Sequence, residues 1–128
     1  GSPQIYTVSV ASGARQRLTF QGNYNQTPAW SPKGDLVAFT GRDERNVFDV
    51  FTVNVNTLKI RRLTQDQGHN EEPSWAPNGR LIAFTSTRGG SSPRIWIMRE
   101  DGRNARLLNK AMGAAITPRW SPFLPARK

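Results

Sequence analysis

Trp30-Ser31-Pro32, Trp75-Ala76-Pro77 and Trp120-Ser121-Pro122 are evenly spaced: 75 − 30 and 120 − 75 both equal 45. The interval holds beyond the motif. Tyr6, Phe51 and Trp96 keep it, as do Leu18, Leu63 and Leu108, and Pro28, Pro73 and Pro118. Leu36-Val37-Ala38-Phe39-Thr40 returns as Leu81-Ile82-Ala83-Phe84-Thr85. A period of roughly 40–45 residues made of short strands is the signature of propeller blades. An all-β chain of four-stranded antiparallel blades is therefore expected. With 128 residues it holds about 2.8 repeats, whereas closed propellers carry roughly 4–8 blades. The chain reads as a β-propeller fragment, open or part of a ring.

Within one repeat the strands follow from local chemistry. Residues 5–10 are β-branched and aromatic, and residues 14–19 alternate Arg15, Arg17 and Thr19 with Gln16 and Leu18, so both segments read as strands. Residues 20–27 are polar and read as a loop. A short inner strand follows at 28–31, then a tight turn at Pro32-Lys33-Gly34-Asp35, where proline presets φ and glycine supplies a positive one. The unbroken apolar run 36–40 suits a strand covered on both faces, the cover that two flanking blades provide. Residues 48–55 and 59–64 complete the blade. The second blade repeats the design, with hairpin turns at Pro77-Asn78-Gly79 and Asp101-Gly102.

The expected organisation is a leader at 1–4, with Gly1-Ser2 resembling a cloning scar. A partial blade follows at 5–19, then blades at 28–64 and 73–109, a closing strand at 118–122 and a tail at 123–128. Trp120-Ser121-Pro122 is followed by Phe123-Leu124-Pro125 without a glycine, so no second hairpin is expected there, and Pro125 argues against a central strand. Open blade faces and unpaired edges are an association hazard, so a homodimer or other self-association through the open ends is expected.

The net charge is +9. Such a charge suits nucleic acid or another acidic surface. Arg15, Arg17, Lys59, Arg61, Arg62, Arg103 and Arg106, however, fall on or beside the outermost strand, where basic side chains deter edge-to-edge pairing. Edge protection is the reading adopted, with weak, salt-sensitive attraction to DNA and no specific nucleic-acid partner. There is no cysteine, hence no disulfide or thiol chemistry. No apolar run approaches the roughly 18 residues of a membrane helix, and no membrane insertion is expected.

An enzyme is not expected. His69 is the single histidine. It lies in a Gly/Asn-rich stretch, and no Gly-x-Ser-x-Gly elbow accompanies it. Asp43, Glu44, Asp66, Glu71 and Glu72 match no calcium-loop spacing, and no His/Cys cluster suits zinc. Neither metal nor cofactor is expected. Trp30, Trp75 and Trp120 recur at one blade position and read as packing residues rather than ligand platforms.

The informative surface is the loops, because loops on a rigid scaffold carry function disproportionately. Strand direction alternates, so residues 20–27, 41–47, 65–72, 86–93 and 110–117 emerge on one face. Asn25-Gln26-Thr27 and Asn70-Glu71-Glu72 precede the inner strands there, at the mouth of the central channel.

The pattern Pro-x-Trp-Ser-Pro-x-Gly-x-Leu-x-Ala-Phe-Thr, then an Ile/Val-aromatic strand and Arg-x-Leu-Thr, resembles the PD40, or TolB-like, propeller repeat over nearly the whole chain. The stretches 70–79 and 118–124 are similar to a blade junction and the C-terminus of TolB-family proteins. The resemblance implies a six-bladed propeller preceded by a small α/β domain. It also implies a periplasmic role in the Tol–Pal system, protein–protein docking to the peptidoglycan-associated lipoprotein (Pal), and contact with other Tol proteins and colicins. His69, Asn70, Glu71 and Glu72 match positions that face the lipoprotein in the family, although Glu71 departs from the expected residue type. PD40 blades also occur beside peptidase domains, so the alternative is a propeller accessory to a peptidase or hydrolase.

Overall fold

The computed structural model describes residues 2–22, 24–90 and 92–108. Among them are ten strands and no helix: β1 (Tyr6–Val8), β2 (Arg15–Arg17), β3 (Asn25–Trp30), β4 (Leu36–Arg42), β5 (Phe48–Asn54), β6 (Ile60–Arg62), β7 (Asn70–Trp75), β8 (Leu81–Ser86), β9 (Arg94–Arg99) and β10 (Arg106–Leu107). They form a two-stranded sheet, β1-β2, and two four-stranded sheets, β3-β4-β5-β6 and β7-β8-β9-β10. Every pairing is antiparallel. The two complete sheets are the blades that the 45-residue register demands. The two-stranded sheet matches the outer half of a third.

The apolar run of β4 resolves by alternation, since successive strand side chains point to opposite faces. Val37 and Phe39 enter one core with Ile5, Leu18 and Val53. Ala38 enters the other with Val50, Trp75, Ile82, Phe84 and Met98. The two cores are images of one another. Ile5, Leu18, Val37, Phe39 and Val53 advance by 45 residues to Val50, Leu63, Ile82, Phe84 and Met98, and all five occupy or pack against the second core. Burying each such side chain contributes about 1.5–3 kcal/mol, so the blade junctions hold the structure together.

Trp30 and Trp75 do not share one environment. Trp75 is 7% exposed and its indole Nε1–H donates to the Ala29 carbonyl of the preceding blade at 2.9 Å. Trp30 is 53% exposed. Its seat would be an inner strand one repeat before β3, and β1 has no strand on its free side among the described residues. Trp120 and the expected closing strand at 118–122 lie outside the described residues.

The inner strands start earlier than the polar composition of 20–27 and 65–72 suggests. Asn25 pairs with Gly41 and Gln26 with Thr40 before the register shifts, and Asn70 and Glu71 pair with Ser86 and Thr85 in the same way. The shift is a bulge at Thr27-Pro28 and Glu72-Pro73. Proline has no N–H for the ladder, and the residue before it takes a left-handed φ of 53° at Thr27 and 58° at Glu72. Two polar residues before a proline look like loop in sequence, yet here they extend the strand across its own interruption.

Candidate protein-binding face

The starts of β3, β5 and β7 and the end of β4 lie at one end of the blades, and the sequence-derived site residues collect there. They divide into three groups by what they bond.

Asn25 and Asn70 are buried. Asn70 Nδ2 donates to Asp49 Oδ1 at 2.9 Å, and its Oδ1 accepts from Arg88 at 3.1 Å. Asp49, fully buried, also accepts from the Thr64 hydroxyl at 2.7 Å and is ion-paired with Arg62. One repeat earlier the arrangement recurs with a neutral acceptor. Gln4 Oε1 accepts from Thr19 Oγ1 and from Asn25 Nδ2. Gln4 and Asp49, Thr19 and Thr64, and Asn25 and Asn70 each stand 45 apart. These asparagines therefore clasp each blade to the one before it and present little to a partner.

Thr27, Gln26, Glu71 and Glu72 form the second group. Thr27 and Thr40 share a hydroxyl–hydroxyl hydrogen bond, and Thr40 Oγ1 accepts the Glu72 backbone N–H at 3.1 Å. Thr40 thus ties the bulge of one blade to the bulge of the next. Gln26 pairs opposite Thr40 and is half-buried. The Thr85 hydroxyl donates to the Glu71 carbonyl at 3.2 Å. Burial pushes the Glu71 carboxyl up from its usual range, with His69 opposing and the Glu72 charge adding. A left-handed backbone is rare outside glycine and an outlier for β-branched threonine. Such conformations cluster at functional sites, where the surroundings over-determine them.

His69 is exposed and belongs to a third group, of which sequence reasoning named the histidine but missed the aromatic neighbours. Its Nδ1 accepts the Phe48 backbone N–H at 3.3 Å, and the two rings lie 5.8 Å apart. Tyr24 meets the same Phe48 edge-on at 6.3 Å, and the Arg42 guanidinium sits 4.5 Å over Tyr24. Tyr24 precedes His69 by 45 residues, so the register was the signal that could have found it. Beside this row, Arg45 bridges Asp43 and Asp66 at 3.1 and 3.2 Å. The Val47 amide, then Arg45 and Arg62, hold the Asp43 carboxyl well below the usual range. Two of the five acidic residues gathered in sequence are thereby neutralised by arginine. No group of three or more His, Cys, Asp or Glu side chains suited to a metal ion occurs among the described residues.

Consecutive four-stranded antiparallel blades, joined face to face through repeating cores, define a segment of a β-propeller. The chain belongs to the PD40 family, the TolB beta propeller domain, whose pattern matches residues 1–124. Over 33 residues it is 79% identical to the Tol-Pal system protein TolB of Myxococcus xanthus strain DK1622, a match spanning 26% of this chain and 8% of that protein. The crystal structure of TolB from Acinetobacter baumannii superimposes with a TM-score of 0.81 at 32% identity, covering 96% of this chain and 30% of that one. The tricorn protease shares the fold alone, at 17% identity and a TM-score of 0.67 over 89% of this chain and 12% of its own.

Proposed function

We propose that the chain is a protein-docking part of a TolB-type propeller. In this reading it binds the peptidoglycan-associated lipoprotein through the blade end that carries His69, Glu71 and Glu72, in the periplasmic Tol–Pal system. Other Tol proteins and colicins are further candidates for the same face. The observation that carries the reading is the bonding of Thr27, Thr40 and Glu72 across two blades. It holds a left-handed backbone in place, and among the described residues the Glu72 carboxylate has no hydrogen-bond partner and the His69 imidazole has one at Nδ1 alone. A preorganised polar surface of this kind loses little on ordering when a partner arrives. The similarity to TolB proteins supports docking over service to a hydrolase, and the protease likeness is one of fold.

Titration calorimetry against the soluble domain of the lipoprotein tests it. His69→Ala and Glu72→Ala are expected to weaken binding, on the order of 2–5 kcal/mol where the lost group leaves its buried partner unpaired. Circular dichroism should show the blades intact, because alanine at position 72 adopts the same backbone as glutamate. Unchanged affinity in both variants contradicts the proposal.

A further inference from the structure

Among the described residues the imidazole of His69 is tethered at one nitrogen, Nδ1. The Phe48 N–H donates to Nδ1 at 3.3 Å. A ring nitrogen that accepts a hydrogen bond carries no proton, and in the neutral imidazole the proton then sits on the other nitrogen. Both ends of the tether are held. The His69 N–H donates to Thr87 Oγ1 at 2.9 Å and its carbonyl accepts the Thr87 N–H at 3.0 Å. Phe48 opens β5 opposite Arg42 and its ring meets both the Tyr24 and the His69 rings. The tether is confined to this junction. The register counterparts of Phe48 are Pro3 and Pro93, which have no N–H, and those of His69 are Tyr24 and Ala114, which have no ring nitrogen.

We infer that the Phe48 backbone amide locks His69 as the Nε2–H tautomer, so that this face offers an outward hydrogen-bond donor and its protein partner must bring an acceptor, a carbonyl or carboxylate oxygen, opposite Nε2. The second half of this inference rests on the docking reading above. The first half does not. The adjacent carboxylates Glu71 and Glu72 are acceptors, so an interchange of donor and acceptor at position 69 would leave the partner's acceptor facing lone pairs. The tautomer therefore acts as a specificity determinant.

His69 is the single histidine, so its imidazole ¹⁵N signals need no assignment. Where these signals no longer change with rising pH, the expected spectrum has a protonated, pyrrole-like Nε2 and a pyridine-like Nδ1. Phe48→Ala removes the ring but keeps the amide, and should preserve that pattern. Phe48→Pro installs the residue type found at positions 3 and 93 and deletes the donor, so the two nitrogens should move toward averaged shifts. A wild-type spectrum with the proton on Nδ1, or one that Phe48→Pro leaves unchanged, overturns the inference with or without a partner. In calorimetry against the lipoprotein's soluble domain, His69→Gln extends an amide donor toward the Nε2 position and should stay within about threefold of wild type. His69→Asn keeps an acceptor near Nδ1 but lacks the outer donor, and should lose about tenfold. Equal losses in both variants overturn the acceptor assignment. Absence of binding by the wild type overturns the docking reading instead, while the spectra still decide the tautomer.

Discussion

Asp49 shows how one buried side chain can serve two blades. It holds Arg62 and Thr64 within its own blade and Asn70 in the next. Removing one member of a buried ion pair costs about 3–5 kcal/mol, because the other charge is left uncompensated. That is a large share of the roughly 5–15 kcal/mol available to a domain. Asp49→Ala should therefore cut the unfolding free energy measured in urea severely, and Asn70→Ala should cut it by about 1–3 kcal/mol for its unpaired neighbours. Asp49→Gln copies the acceptor at Gln4 and should cost less than Asp49→Ala; equal costs would show that the repeated clasp is not what the residue contributes. At this scale the sequence was only half legible. Asn25 and Asn70 stand in polar tripeptides that look solvated, and nothing local shows that their amides point inward. The partners lie in the preceding repeat, 21 residues back at Gln4 and Asp49, and only the shared 45-residue offset of all three positions hints at a common bond.

Strands and turns were more legible, because alternation and turn chemistry act within a few residues. The apolar run of β4, the glycine turns and the basic outer strands follow from local composition. The early start of β3 and β7 does not, since it depends on bulges whose left-handed Thr27 and Glu72 are stabilised by Thr40 from across the sheet and the junction. A hairpin tip offers a test of how tightly the blades mesh. Gly102, in the turn between β9 and β10, has a φ of +89°, and a Cβ there would lie 2.7 Å from the Leu63 carbonyl oxygen of the previous blade. Gly102→Ala combines backbone strain with a clash against main chain, and is expected to cost about 2–4 kcal/mol. An unaltered unfolding midpoint would mean that the turn and the blade can separate freely.

Across the whole molecule the unpaired edge of β1 matters most among the described residues. Tyr6 and Val8 of β1 are exposed large apolar side chains, as are Phe20 and Trp30, and unpaired edges with apolar faces promote association. The isolated chain is expected to self-associate with rising concentration in sedimentation velocity; a monomer at every concentration would show that this end is shielded in solution. That surface and the polar face at His69 and Glu72 are separate, and the functional account depends on the partner choosing the second. Hydrogen exchange on the complex with the lipoprotein's soluble domain distinguishes them most directly. The account predicts slowed exchange in residues 42–48 and 66–72, with the opposite turns at 32–35 and 77–80 and the β1 edge unchanged. Protection confined to the β1 edge or to the turns, with residues 66–72 exchanging as in the free chain, would contradict it.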